Sequence, residues 1–324
     1  MTDYILHLTT DVNNYFSENM KNSSCNLFFF RYIEMRKEIK MIEKLPINEY
    51  HARPEISSSI LKAVMISPAH LERILTKGFK QNKATILGSA MHSWLTQRDL
   101  FNNDYTESTE LYLKAYGEHK AGDPKLDDEG DPIVMLKHST DSSLDIKGEE
   151  YKKFKAMCEA YEKSDDAKAL IESAKYIEAS FFYKGMRVRP DFITNDGWIV
   201  DIKTVGGTAD KPSSPERFGR DFFDNGYDIQ MYMYYHIVKQ EIPDIKGFKF
   251  LCLDAKQPSG IQIYTFVEGE SKWFELGGYR FHEALDKLEQ YKKENIHKVY
   301  ENENVGDLPL SYNAEDYLVR ARAE

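Results

Sequence analysis

The stretch RPDFITNDGWIVDIKT, residues 189–204, constrains the fold more than any other part of this chain. Two runs rich in aromatic and β-branched residues flank Asn195, Asp196 and Gly197, the pattern of two antiparallel strands joined by a tight turn. Side chains alternate along a strand, so the length of the turn decides which residues share a face. A two-residue loop at Asp196-Gly197 pairs Asp191 with Ile202 and sends Asp191 and Asp201 to opposite faces. A three-residue loop, with Gly197 at positive φ, pairs Asp191 with Asp201. Asn-Asp-Gly suits the longer loop, because glycine takes positive φ without a Cβ clash. The sequence therefore predicts an odd loop with the two carboxylates facing each other. Asp201 and Lys203 share one strand face, and Trp198, Val200 and Ile202 share the other. Asp-x-Lys is a common tripeptide, and alone it describes the wet side of an ordinary sheet. Two carboxylates set opposite each other repel unless a cation sits between them, and hard oxygen ligands are what magnesium requires.

The rest of the chain supplies both helices and strands. ISSSILKAVMISPAHLERILTKG, residues 56–78, opens with serines suited to helix capping and continues with helical spacing, and Pro68 after Ser67 opens a second short helix. ATILGSAMHSWLTQRDLF sets Leu87, Met91, Trp94 and Leu95 on one helix face. A further helix is expected over about 150–174. Then YIEASFFY, MRVRPDFIT and GWIVDIKTV read as three consecutive antiparallel strands. YDIQMYMYYHIVKQ returns to helical spacing, FKFLCLDA and GIQIYTFV give two more strands, and a helix follows over about 271–295. The fold class is mixed α/β, a central mixed sheet flanked by helices. Residues 1–45 read as an appended helical segment and 301–324 as a polar tail.

The net charge of -10 argues against a chain that coats nucleic acid by charge alone. Its distribution is uneven: residues 118–150 hold ten acids against four lysines, with Gly122, Pro124, Gly130 and Pro132 among them. This acidic segment reads as a solvated loop or insertion, and without it a DNA-binding groove is compatible with the charge. Cys25, Cys158 and Cys252 lie far apart, as expected for reduced thiols of a cytoplasmic protein, and do not form a four-cysteine metal or iron–sulfur site. No apolar run approaches the roughly 20 residues of a membrane span, and no secretory signal pattern is visible at the N-terminus.

Glu178, then Arg-Pro-Asp, then Asp-Ile-Lys resembles the core of the PD-(D/E)xK nuclease superfamily. The similarity is to the exonuclease domain of exodeoxyribonuclease VIII, the RecE type, a relative of lambda exonuclease. It spans residues 46–300 and rests on YHARPEISSSIL, LGSAMH (87–92), IEAS (177–180), RVRPD (187–191), VDIKT (200–204) and GYDIQMYMYY (226–235), taken in this order. Each motif is weak alone.

The resemblance implies a role for each matching position. Asp191 and Asp201 would be metal ligands, joined by the backbone carbonyl of Ile202 and by His92. Glu178 places an acid beside the metal. Lys203, a cation that does not ligate, would orient the attacking water or stabilise charge on the phosphate. Gln230 and Tyr234, spaced i, i+4 on one helix face, would border the active site and contact the nucleic-acid strand, where composition alone suggests a half-buried amphipathic face. Ser57 and Ser59 would face the 5′ end of the DNA, where local pattern alone makes them helix caps. Arg187 and Arg189 would be solvated charges or would neutralise backbone phosphates. The cofactor implied is Mg2+, with Mn2+ able to replace it.

The function implied is a magnesium-dependent 5′-to-3′ exonuclease that degrades linear double-stranded DNA and leaves 3′ single strands for recombination. A phage or prophage source, a ring-shaped homo-oligomer enclosing the duplex and a single-strand annealing protein as partner fit the resemblance. Two alternatives stand beside it: a superfamily nuclease of another polarity or a single-strand or structure-selective endonuclease, and a catalytically silent DNA-binding or assembly protein on the same scaffold. The intact Asp191, Asp201 and Lys203 argue against the silent form.

Overall fold

A computed structural model describes residues 40–78, 81–206, 214–256 and 259–294. In chain order it runs β1 (Lys40–Ile42), α1 (Ile47–Ala52), α2 (Ser58–Ile66), α3 (Pro68–Lys77), α4 (Lys83–Thr96), α5 (Arg98–Asp104), β2 (Tyr105–Thr109) and β3 (Val134–His138). There follow α6 (Glu149–Glu162), α7 (Asp165–Glu172), β4 (Ala174–Ile177), β5 (Ser180–Tyr183), β6 (Met186–Val188), β7 (Phe192–Thr194) and β8 (Trp198–Val205). The last elements are α8 (Pro215–Asp224), α9 (Tyr227–Glu241), β9 (Gly247–Asp254), β10 (Ile261–Phe266) and α10 (Lys272–Glu294). Among the described residues no helix is long and apolar enough to cross a membrane.

The central sheet has the order β10-β9-β8-β7-β4. Its pairs are antiparallel except β8 with β9, which run parallel. Both faces are covered, because alternate residues of each strand feed two different cores. Ile193, Ile199, Phe248, Phe250 and Cys252 pack with residues of α2, α9 and α10, while Phe192, Val200, Ile202, Leu251 and Leu253 pack with residues of α4 and α6. Asp201 follows Val200 and so projects toward the α9 side. It is 3% exposed. The Asp201–Lys203 face is therefore packed against helices and not the wet side of a sheet.

The three strands expected between 176 and 205 are five, divided between two sheets. Glu178 takes φ 50, a conformation that L residues adopt rarely, and this breaks YIEASFFY after β4. β5 and β6 then form a hairpin across Lys184 and Gly185, both at positive φ, as a two-residue turn of this kind demands. With β1 they make a separate three-stranded sheet. Pro190, which has no N–H to give a ladder, separates β6 from β7. Position 40–42 is thus strand where a helical segment was expected; residues 1–39 and 301–324, where the extension and the tail were placed, lie outside the described residues.

Two other expectations change. The helix over 150–174 is two, since Ser164 interrupts it and caps α7 through Ala167 N. The acidic segment is not simply loop: β3 pairs along β2, and further bridges join Leu111 to Pro124 and Leu126 to Pro132. Leu136 and Ile146 are buried beneath this arm, while its charges and turn residues face solvent and mask the strand pattern.

Between α9 and α10 lies a buried ion pair, Arg280 Nη1 to Asp228 Oδ1 at 2.9 Å, with Asp228 fully buried. The same nitrogen donates to Phe223 O. Replacing Arg280 by Met leaves that carboxylate buried without its cation, and breaking such a pair typically costs about 3–5 kcal/mol. Urea denaturation of Arg280→Met should show a loss of that order; an unchanged midpoint would remove the pair from the scaffold.

Candidate active site

The register of β7 and β8 is Phe192↔Val200 and Ile193↔Ile199, which leaves residues 195–197 as the connecting loop. Gly197 has φ 91 and donates its N–H to Thr194 O at 3.2 Å. This is the odd loop that the sequence predicts, and one step along the ladder it sets Asp191 opposite Asp201. On the other side Ile177 pairs with Phe192, and Glu178 N donates to Asp191 O at 2.9 Å. Glu178 just past the end of β4, Asp191 just before the start of β7 and Asp201 in the middle of β8 thus form one row across neighbouring strands.

Cations of the chain face all three acids, Lys203 at Asp201 and His92 shared by Asp191 and Glu178, and relieve their repulsion. His92 Nε2 lies 2.6 Å from Asp191 Oδ2, and its Nδ1 lies 3.8 Å from Glu178 Oε1. The Lys203 ammonium lies against Asp201 Oδ2. Burial lowers the proton affinity of His92, but Asp191 and then Glu178 outweigh it and hold the imidazole above its ordinary pKa. Burial pushes Asp191 up, and His92 and Lys203 more than reverse that, holding it below the usual carboxylate range. Asp201 goes the other way: burial raises it, and Lys203 offsets this only in part. Lys203 is raised, because Asp201 outweighs its own burial.

α4 delivers His92. Its start is fixed by a reciprocal cap between Asn82 and Thr85. At Gly88 a Cβ would lie 3.2 Å from Thr204 Oγ1, so glycine lets the helix approach β8 closely and brings His92, four residues on, over the strand ends. From the opposite layer α9 delivers Gln230, whose Nε2 donates to Asp201 Oδ1 at 2.6 Å. Its Oε1 accepts from Lys62 Nζ of α2 at 3.2 Å. Lys62 is a part of this network that no motif marks; it is one lysine in an ordinary amphipathic helix.

The remaining residues singled out from sequence fall into place unevenly. Asp191 Oδ2 also accepts from Ile202 N, and the Ile202 carbonyl leaves the strand on that same side, as both groups of one strand residue do. Gln230 and Tyr234 are buried and not half-exposed; Tyr234 bonds Ser58 of α2 and ties the two helices together. Ser57 and Ser59 are half-buried at the start of α2, and the Ser57 side chain makes no cap hydrogen bond, contrary to the capping expectation. Arg187 and Arg189 are not solvated: they are 7% and 9% exposed. Arg187 donates to Arg53 O and Arg189 to Leu45 O and, at 2.9 Å, to Ser180 Oγ. Both guanidiniums lie over Tyr50, and Arg189 Nη1 is 4.0 Å from Glu178 Oε2. Their donors hold the second sheet and Glu178 in place, so a phosphate-contacting role finds no support in this arrangement.

The donor set fits a hard divalent ion. Carboxylates and a backbone carbonyl are magnesium ligands, and an imidazole beside them suits manganese as well. Asp201 Oδ2 is buried against the Lys203 ammonium, so an ion bound there would share that oxygen with Lys203. Among the described residues no three His, Cys, Asp or Glu side chains converge as a finished cage. Replacing His92 by Ala should lower activity about 10–100-fold, the range for groups that orient metal-binding carboxylates, with an unchanged circular dichroism spectrum. A fully active His92→Ala protein would assign the residue to packing alone.

A family model described as a PDDEXK-like domain of unknown function (DUF3799) matches residues 57–304. No curated protein matches. Among solved structures, a "Putative exonuclease" from Eubacterium rectale is similar at TM-score 0.52 and 13% identity, over 83% of this chain and 96% of that one. At that identity the likeness is one of fold.

Proposed function

The chain belongs to the PDDEXK-like DUF3799 family, and on that premise we propose that it is a magnesium-dependent exonuclease of the exodeoxyribonuclease VIII type. Its substrate is linear double-stranded DNA, degraded 5′ to 3′ to leave 3′ single strands for recombination. The observation that carries this proposal is the row Glu178, Asp191 and Asp201 across the neighbouring strands β4, β7 and β8, faced by His92 on one side and Lys203 on the other.

Asp191, Asp201 and the Ile202 carbonyl, with His92 and Glu178 beside them, would hold the ion. An ion held there would supply an activated water and positive charge against the phosphate. Gln230 fixes Asp201 through Oδ1 and leaves Oδ2 for the cation side. Lys203, its ammonium 4.6 Å from the centre of the Tyr227 ring, is a fixed positive charge for the phosphate oxygens as negative charge grows in the in-line displacement. The same resemblance supplies a ring-shaped homo-oligomer around the duplex, which would hold an acidic chain on DNA by topology, and a single-strand annealing protein as partner.

Digestion of duplexes labelled at the 5′ or the 3′ end, linear and closed circular, with magnesium or chelator, tests the proposal. Early release of the 5′ label from linear DNA alone, and only with magnesium, is expected. Early release of the 3′ label, or nicking of the circle, would favour a nuclease of other polarity or an endonuclease. Binding without cleavage would favour the silent assembly protein.

A further inference from the structure

Lys62 bonds an amide and not a carboxylate. Its Nζ donates to a neutral amide oxygen, Gln230 Oε1, and among the described residues it has no ion-pair partner. The Asp201 and Asp228 carboxylates act on it only through space, and a second ammonium is close by: Lys62 and Lys203 lie 5.5 Å and 4.6 Å from the centre of the same Tyr227 ring. Both are tied to one carboxylate, Lys203 directly at Asp201 Oδ2 and Lys62 through Gln230 at Oδ1. Burial first, and Lys203 second, press the Lys62 pKa down to about 8.

The backbone is shaped around this side chain. Gly226, at φ 62, caps the start of α9. A Cβ there would lie 2.8 Å from Lys62 Cγ and 3.0 Å from its Cδ. Glycine is thus required twice, by the left-handed conformation and by the room the Lys62 stem occupies. Two ammoniums held together around one carboxylate disfavour each other, and an oxygen-rich anion would relieve both. A phosphate does this, and lysine binds phosphate as a point charge.

We propose that Lys62 is a second phosphate-contacting cation of this site, binding a phosphodiester of the nucleic-acid backbone beside the one that Lys203 faces. This rests on the nucleic-acid reading of the acid row but not on cleavage. Helix α2 would then contribute to the substrate channel through Lys62.

The test is the salt dependence of affinity for a blunt duplex, measured by fluorescence anisotropy in chelator, which blocks cleavage. Lys62→Gln keeps a donor toward Gln230 and removes the charge. Losing one phosphate contact should lower the slope of log K against log salt by about 0.9, and Lys62→Arg should restore it. Duplexes ending in 5′-phosphate and in 5′-hydroxyl should show the same change. An unchanged slope in a folded Lys62→Gln overturns the proposal, as does a change confined to the 5′-phosphorylated duplex. If Lys62→Gln does not fold, Lys62→Met carries the same measurement, and failure of both to fold makes Lys62 a scaffold residue and overturns it too. Wild-type protein that binds DNA with the expected Lys62 dependence but does not cut it sinks the nuclease reading alone. Wild-type protein that cuts, with an unchanged slope in Lys62→Gln, sinks Lys62 alone, and absence of any DNA binding sinks both.

Discussion

Lys203→Ala is expected to slow cleavage about 100-fold or more, the loss typical of removing one preorganised charge from a transition state, while the protein stays folded and still binds divalent metal. Lys203 is held by Asp201 Oδ2 and by the Tyr227 ring, so its charge is fixed before substrate arrives. Its removal leaves Asp201 its hydrogen bond from Gln230 at Oδ1 and frees Oδ2, where a divalent ion would take the place of the ammonium. A single-turnover assay on end-labelled duplex measures the loss, and circular dichroism reports the fold. Activity within a few-fold of wild type would remove Lys203 from the mechanism.

Asp201→Asn should fail differently. Asn keeps the shape of the side chain and an oxygen to accept from Gln230 Nε2, but it deletes the charge that a hard cation needs. Calorimetric titration with magnesium or manganese should show the site lost or severely weakened. The stabilisation that a bound ligand confers, about 2.7 kcal/mol at 100 times its Kd, should vanish with it, so melting of the variant becomes insensitive to metal. Unchanged metal affinity in Asp201→Asn would place the ligands elsewhere. The two variants thus separate charge on the phosphate from ligation of the ion.

Local chemistry made much of this legible in advance. Asn195-Asp196-Gly197 suits the three-residue loop as well as Asp196-Gly197 suits the shorter one, and the three-residue register is the one that sets Asp191 opposite Asp201. Pro68 breaks α2 from α3, as Pro breaks any helix, and the Leu87, Met91, Trp94 and Leu95 stripe is buried as its spacing demands. What stayed hidden depends on packing between distant elements. Arg187 and Arg189 look like surface charges in RVRPD because nothing local announces the carbonyls of Leu45 and Arg53 that receive them. The departure of β5 and β6 into a second sheet is bounded by Glu178, in an unusual conformation, and by Pro190. Lys62 meets Gln230 across 168 positions, a contact that no short motif contains. The expectation that a divalent ion must relieve the paired carboxylates overlooked His92 and Lys203, which do so within the chain.

The central claim is that phosphodiester cleavage resides in the row Glu178, Asp191 and Asp201 and depends on a divalent ion. Its most direct test is one single-turnover digestion of a 5′-labelled linear duplex, run with wild type and Asp201→Asn, each in magnesium and in chelator. Label release is expected from wild type in magnesium and in no other arm. Release by Asp201→Asn at the wild-type rate, or undiminished release by wild type in chelator, would contradict it.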